Sequence, residues 1–149
     1  MPSWGDLQSG AADLAAFGIG RLTGAPAYLA TVRATGQPRV HPVAPVVAGG
    51  RLFVFMEPTS PKVRDLRERR WYALHNGVSD ISGTGGEFFV SGHAILLDDP
   101  DLRTIAGGAA TFPIEDRWVL VELEIDVARC NGYGDVELPD PRQWRASES

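Results

Sequence analysis

The sequence is poor in cysteine and has no surplus of positive charge. A single cysteine, Cys130, among 149 residues excludes a disulfide within the chain and a cysteine-rich zinc site, and it is typical of a reducing cytoplasm. The net charge of -5 is opposite to the excess of Lys and Arg that binding to a nucleic-acid backbone requires. We therefore expect no nucleic-acid partner, and any bound anion should be small.

Long hydrophobic runs are also missing. The first residues, "MPSWGDLQSGAADLAAFGIG", have Asp, Gln and Ser spread through them, unlike the apolar part of an export signal. No run approaches the length of a membrane-spanning helix. These absences predict a cytoplasmic protein without a membrane partner. The length predicts one domain over residues 1–149.

Turn-forming residues are abundant, and they divide the chain into short segments. The segments "AYLATVR", "PRVHPVAPVVA" and "RLFVFM" are separated by "ATGQ" and "GG", which predicts antiparallel hairpins within a barrel over about residues 27–134. Prolines 38, 42 and 45 remove ladder donors, so the second strand (38–48) should be an edge, bulged or partly unpaired.

The remaining segments complete a mainly β fold with short helices. An amphipathic helix capped by Ser3 is predicted first, and the segment after residue 134 is predicted to be a loose tail that Trp144 could anchor. The predicted helices span 4–22, 61–69 and 99–106, and the later strands span 71–76, 87–98 and 117–130. In total, six or seven antiparallel strands with two or three short helices should close into a barrel, which removes sheet edges.

The stretch "EPTSPKVRDLRERR" combines a helix start with positive charge. Ser60 is placed to be the N-cap and Pro61 the first helical residue, so backbone N–H groups should point out of the helix start beside Lys62. These groups, with the hydroxyls of Thr59 and Ser60, would favour a phosphate. The alternative is a capped surface helix whose charges, including Arg69, only keep it solvated.

The stretch "QPRVHPV" adds two basic side chains on one strand face. Arg39 could be a second phosphate clamp, because a guanidinium suits bidentate contacts, and His41 is a candidate for proton transfer. Arg39 could instead be an ordinary exposed strand residue. His41, His75 and His93 lie on three separate strands without the spacing of a metal site, so we predict no bound metal.

Three longer stretches together resemble a known group of proteins. "YLATVRATGQPRVHPV", "RLFVFMEPTSPKVRDLRERRWYALH" and "EFFVSGHAILLDDP" are similar to the pyridoxamine 5'-phosphate oxidase-like, FMN-binding split-barrel superfamily, over about residues 4–134. The resemblance implies an antiparallel split β-barrel of the FMN-binding type. It also implies a homodimer with two cofactor sites at the subunit interface.

The resemblance, with the local interpretation of Thr59, gives a set of candidate cofactor-binding residues. The ribityl chain and ring edge would follow residues 39–42, the ring would lie along residues 55 and 56, and residues 60 and 62 would hold the terminal phosphate. Glu87 stands where the oxidases have a glutamine that approaches the flavin ring from the partner chain. The complete set is Arg39, Val40, His41, Pro42, Phe55, Met56, Thr59, Ser60, Lys62 and Glu87.

Two departures from the oxidases bear on the substrate and the cofactor. Where the oxidases bind the substrate's phosphate with a tyrosine, an arginine and a serine, "DPDLRTIAGGAATF" offers only Arg103 and Thr104, and Tyr133 stands near the place of their closing Trp and Arg. Both differences argue against vitamin B6 oxidation. "SPKVRDLRERRWYALHN" is more similar to the actinobacterial branch, many of whose members use the deazaflavin coenzyme F-420.

The function that these residues and the resemblance imply is that of an oxidoreductase. Either FMN or F-420 would exchange a hydride with a small organic substrate, and the protein would supply orientation and a dry pocket. The alternative is a carrier that binds flavin or haem without turnover. A third possibility is a dimer with an empty pocket.

Overall fold

The structure, a computed structural model, describes residues 2–147 and is mainly β, as predicted. The helices within this range are α1 (Trp4–Gly10), α2 (Ala12–Leu22), α3 (Pro61–Glu68) and α4 (Pro100–Ala109). The strands are β1 (Ala27–Val32), β2 (Pro38–Val43), β3 (Val46–Ala48), β4 (Arg51–Met56), β5 (Trp71–Asn76), β6 (Glu87–Leu97), β7 (Val119–Leu123), β8 (Val127–Asn131) and β9 (Gln143–Arg145). All strand pairs are antiparallel.

The sheet curls until its two edges meet. The strand order is β2-β1-β5-β6-β7-β4-β3, with β8 paired to β6 and β9 paired to β8. β2 and β3 are the opposite ends of this path, yet only Ala44 and Pro45 separate them in the chain. Val43 and Val46 are three residues apart, which spans about 11 Å at most. The end of β2 must therefore lie close to the start of β3, which is the split barrel that the sequence predicts.

The second predicted strand (38–48) is two strands that belong to opposite edges of the sheet. β2 pairs with β1, and β3 pairs with β4. The prediction of a single second strand is wrong, because the chain changes partner at Pro45, which cannot donate to a ladder. The prediction that proline places β2 at an edge is confirmed.

The long strand predicted over 117–130 is interrupted by a bulge. Leu123 faces Ala94 and Val127 faces Ser91, so a step of four residues on one strand faces a step of three on β6. The extra residue is accommodated opposite Gly92, where a Cβ would lie 2.2 Å from the carbonyl oxygen of Glu124. This bulge bends β6 and lets it pair with β7 and β8 in succession.

The ends of the chain differ from the sequence-based expectations in two ways. The single N-terminal helix predicted over 4–22 is two helices, because the backbone leaves the helical region at Ala11 (φ -152°, ψ 69°), although the predicted cap at Ser3 is present as a capping box. The predicted loose tail contains β9, and Trp144 packs against the core. The last two residues of that tail lie outside the described residues.

Two apolar clusters hold the elements together. The larger fills the barrel and the space under α1 and α2, with the rings of Trp4 and Phe88 5.8 Å apart. The smaller lies outside the barrel, where α4 covers Phe53 and Leu120. Within residues 2–147, no helix is long and apolar enough to cross a membrane.

Candidate functional site

The site forms where α3 begins. Ser60 is the N-cap and Pro61 the first helical residue, as predicted, but the Ser60 hydroxyl accepts no hydrogen bond from the helix backbone. Instead it accepts one from the Lys62 ammonium at 2.9 Å. Burial lowers the pKa of Lys62. An ammonium has three donors, so this partly buried Lys62 keeps donors available for a ligand.

His41 lies on the neighbouring edge strand, and its imidazole lacks one hydrogen bond. Its Nε2 atom is buried and has no partner among the described residues. Burial, followed by the positive charges of Lys62 and Arg39, lowers the pKa of His41. The ring is therefore neutral at pH 7. Buried polar atoms almost always have a partner, so the unpaired nitrogen fits a place that a ligand completes.

Arg39 extends from the same strand face and is held by α3. Its Nε donates to the Asp65 carboxylate at 2.9 Å, and its side chain is 22% exposed. Its two Nη groups have no hydrogen-bond partner within the described part of the chain. The predicted phosphate clamp is thus oriented by Asp65 and still has its outer donors available.

Asp65 contacts the candidate site and was not among the residues predicted from the sequence. The same carboxylate oxygen accepts a hydrogen bond from Thr31 at 2.7 Å, and Arg69 lies 3.9 Å from the other oxygen. Burial alone would raise the pKa of Asp65, but the hydrogen bonds from Thr31 and Arg39 and the charges of Arg39 and Arg69 outweigh it, so the pKa is lowered. An acidic residue between the buried Val63 and Leu66 was the available sequence signal.

Arg69 also corrects an expectation from the sequence. Its Nε donates to the carbonyl oxygen of Val32 at 2.8 Å, and only 27% of its side chain is exposed. It therefore ties the end of α3 to β1 instead of forming solvated helix surface, whereas Arg64, Arg67, Glu68 and Arg70 are exposed or end in solvent.

The loop before α3 is held by two residues that precede β7. Arg117 donates to both carboxylate oxygens of Glu57, at 2.6 and 3.1 Å, and the indole of Trp118 donates at 2.7 Å. Hydrogen bonding from Arg117 lowers the pKa of Glu57. The carbonyl of Glu57 in turn accepts from the backbone of Ser60 at 3.0 Å. Thr59 is exposed at the tip of this loop.

The residues predicted to lie along a flavin ring have different surroundings. Phe55 is half-buried on the α4 side of β4, with the Arg103 guanidinium 5.5 Å from its ring centre. Met56 is 1% exposed in the main core, so only its backbone could contact a ligand. Arg103 donates to the carbonyls of Glu115, Asp116 and Trp118, which makes it a structural residue.

Glu87 lies away from the start of α3, in another part of the chain. It lies at the start of β6, 3.4 Å from His75 and 3.5 Å from the hydroxyl of Tyr133, beside a cavity of about 360 Å³. Three strand spacings separate it from β2, about 14 Å. The chain therefore brings Arg39, His41, Ser60 and Lys62 together, and leaves Glu87 apart from them.

No cluster of three or more His, Cys, Asp or Glu is arranged to hold a metal ion in the part of the chain that the structure describes. His75 and His93 are each beside a carboxylate, Glu87 and Asp126, respectively. His41 has no carboxylate within ion-pair distance among those residues.

Comparison with known proteins gives matches in structure but not in sequence. No protein-family model and no curated protein matches the chain. A haem-binding protein from Mycobacterium smegmatis superposes with a TM-score of 0.66 at 15% identity, over 99% of this chain and 59% of that protein. PhzG from Burkholderia lata, bound to tetrahydrophenazine-1-carboxylic acid, superposes with a TM-score of 0.59 at 17% identity, over 90% of this chain and 83% of that protein. A proposed pyridoxamine 5'-phosphate oxidase from Listeria innocua superposes with a TM-score of 0.56 at 14% identity, over 70% of this chain and 86% of that protein.

These likenesses define the class of fold. The chain has the split β-barrel fold of the pyridoxamine 5'-phosphate oxidase-like proteins, which confirms the fold that the sequence resemblance implies. At such low identity the superpositions show the fold alone. Any function therefore has to be inferred from the site itself.

Proposed function

We propose that this chain is an oxidoreductase in which FMN or the deazaflavin F-420 exchanges a hydride with a small organic substrate. The proposal rests on one observation, the cluster at the start of α3. Lys62 and the Nη groups of Arg39 keep unused donors, and the buried Nε2 of His41 has no partner among the described residues. We call the cluster of Arg39, His41, Ser60 and Lys62 the phosphate seat.

The phosphate seat suits the end of a ribityl phosphate chain. Two cationic side chains and a helix start are the groups that proteins commonly use to bind a phosphate. Both FMN and F-420 carry a phosphate on a chain of this type, so the seat fits either. When bound, the cofactor supplies the hydride chemistry, and the chain supplies binding and orientation.

The edge strand β2 gives the rest of such a cofactor a place to lie. No strand pairs with the outer edge of β2 among residues 2–147. Val40 is 62% exposed, but it lies on the strand face opposite to Arg39 and His41. The neutral ring of His41 can accept a proton on the nitrogen that has no partner, which makes it the candidate for assisting proton transfer.

We also propose that two chains form a homodimer through the outer face of β1, β2 and β5. The register places Tyr28 beside Pro42 and Ala30 beside Val40 on this face, and Trp71 lies on the same side of β5. Tyr28 and Trp71 are 47% and 57% exposed. An apolar face of this kind is typical of an interaction surface. In such a dimer Glu87 could reach the partner's cofactor.

The dimer can be tested by placing a charge on this face. Trp71→Lys should shift the protein from dimer to monomer in sedimentation velocity, because an unpaired ammonium at the centre of an apolar interface is costly to bury. Ile105→Lys, on the exposed side of α4, is the matched control and should remain dimeric. A wild-type protein that sediments as a monomer would contradict the shared site.

A carrier of haem is a second candidate, because the imidazole of His41 has a nitrogen without a partner among the described residues and histidine is a common haem ligand. One protein of the same fold is a haem-binding protein. The two functions give different spectra. A haem protein would develop an intense Soret band with haemin, and loss of its histidine ligand would remove the band. A flavin enzyme would lose its visible absorbance on reduction and regain it with substrate.

The phosphate seat is tested by removing its ammonium. Lys62→Ala should weaken binding of FMN, or of F-420, by about tenfold or more, because a charge-assisted hydrogen bond contributes about 1.5–3 kcal/mol. The affinity is measured by fluorescence titration with each cofactor in parallel. Arg67→Ala removes a positive charge from the exposed side of the same helix and should leave affinity within about twofold. Equal affinities of wild type and Lys62→Ala for FMN and for F-420 would contradict the phosphate-seat hypothesis.

A further inference from the structure

A second concave site opens at the split of the barrel, where β2 passes into β3. A cavity of about 460 Å³ lies between this crossing, the loop before β1 and the segment after α4. We call it the split recess. Its lining residues are Gly24, Ala25, Pro26, Pro42, Val43, Ala44, Pro45, Thr111 and Phe112.

The split recess begins where the proposed cofactor path ends. Residues 39–42 are expected to follow the ribityl chain and ring edge, and Pro42 is the first wall of the recess. A strand rises about 3.3 Å per residue, so Val43 lies about 13 Å along β2 from Arg39. A substrate in the recess would therefore lie just beyond His41, at the ring end of the proposed cofactor path and away from Arg39.

The lining carries no charge and few hydrogen-bond donors. Among the described residues that line it, none is ionisable, and Thr111 is the one with a side-chain hydroxyl. Three prolines remove backbone N–H groups from the walls while keeping their carbonyl oxygens. Anion sites commonly use cations, and the described lining of this recess has none. Phe112 provides the one aromatic surface.

The walls should also be largely pre-formed. Pro26, Pro42 and Pro45 have fixed φ angles, and Val43 and Pro45 are buried. The volume is within the range of small-molecule sites, about 300–1,000 Å³. Because the described lining has no cation, a phosphate or carboxylate in the recess would give up contacts with water and gain no charged partner, which favours uncharged ligands.

We propose that the split recess binds the substrate, and that this substrate is an uncharged, flat, mainly apolar molecule, not a phosphate ester. The assignment as a substrate site rests on the oxidoreductase function proposed above. The preference for neutral ligands rests on the recess alone. Backbone carbonyls at its walls match a ligand that carries a hydroxyl donor.

The test compares naphthol with naphthyl phosphate, which differ in the phosphate group. Wild-type protein should bind naphthol at least about tenfold more tightly, measured by equilibrium dialysis with and without FMN, in excess inorganic phosphate that keeps the phosphate seat occupied. Phe112→Ala should weaken naphthol binding by about tenfold through loss of an aromatic contact. Ala44→Lys should reverse the preference, since Ala44 is exposed and tolerates a long side chain. Ala16→Lys, on the exposed side of α2, is the matched control and should change neither affinity.

The outcomes separate this proposal from the one on which it rests. The recess proposal would be overturned if wild type bound the phosphate ester more tightly than naphthol. It would also be overturned if neither Phe112→Ala nor Ala44→Lys changed the affinity for naphthol. Complete competition between FMN and naphthol would also overturn it, because the recess would then hold the ring itself. If naphthol binds as expected but neither FMN nor F-420 binds, the recess preference stands and the oxidoreductase function fails.

Discussion

Replacing Asp65 by asparagine is expected to lower the free energy of unfolding by about 3 kcal/mol at pH 7, at the lower end for breaking a buried ion pair. The Asp65 side chain is 4% exposed and accepts from Thr31 and Arg39. An amide would leave Arg39 and Arg69 without their shared counter-charge. We take the lower end because both arginines are 22–27% exposed and water compensates part of the loss.

The effect should depend on pH in a defined direction. The pKa of Asp65 in the folded protein is lowered, so the folded state binds this proton less readily than the unfolded chain does. The Asp65 carboxylate therefore stabilises the folded protein fully at pH values above its pKa in the unfolded chain, about 3.9. This stabilisation is lost as the pH falls through the pKa in the folded protein. The difference between wild type and Asp65→Asn should shrink as the pH is lowered below about 4.

Urea unfolding at pH 7 and at successively lower pH measures both effects. Asp13→Asn, at an exposed position of α2, is the matched control and should change stability by less than about 0.5 kcal/mol. If Asp65→Asn lowers the free energy of unfolding no more than the control does, the carboxylate is not the anchor of Arg39. If the difference in free energy does not vary with pH, the lowered pKa of Asp65 does not contribute to stability.

The short elements and their pairing were accessible from the sequence because they depend on local chemistry. Turn residues at "ATGQ" and "GG" separate segments that do pair as hairpins, and Ser60 with Pro61 does begin α3. The four residues of the phosphate seat come from β2 and α3, which the family resemblance already placed near one another. Local pattern and resemblance therefore agreed on this part of the molecule.

Features that depend on long-range contacts were not accessible in the same way. Nothing in "RDLRE" says that Asp65 meets Arg39, because that contact requires β2 to lie beside α3. The change of partner at Pro45 likewise depends on which strand lies at each edge of the finished sheet. The lowered pKa of His41 and its unpaired nitrogen arise only after burial. Such features are set by tertiary packing, which propensities do not contain.

Gly92 is a backbone example of the same limit, because it has neither a positive φ nor a turn to mark it in the sequence. It lies in the middle of β6, where glycine is ordinarily unfavourable. Its missing side chain lets the Glu124–Asp126 bulge approach, with a would-be Cβ 2.2 Å from the Glu124 oxygen and 3.0 Å from the Asp126 nitrogen. Both are backbone atoms, which cannot turn away as a flexible side chain could.

Gly92→Ala should therefore lower the free energy of unfolding by about 3 kcal/mol, the upper end for overpacking in a core. Gly20→Ala is the matched control, because Gly20 lies on α2 with nothing within 4 Å of its would-be Cβ, and it should stabilise the protein by about 0.5–1 kcal/mol. Thermal and urea unfolding of both variants measure the two opposite shifts.

Since the bulge joins β7 to β8, Gly92→Ala should also speed hydrogen exchange at the amides of Glu124 and Asp126, which donate to the carbonyls of His93 and Ser91. If Gly92→Ala is as stable as wild type and protects these amides equally, close packing of the bulge on Gly92 does not hold β6 in its bend.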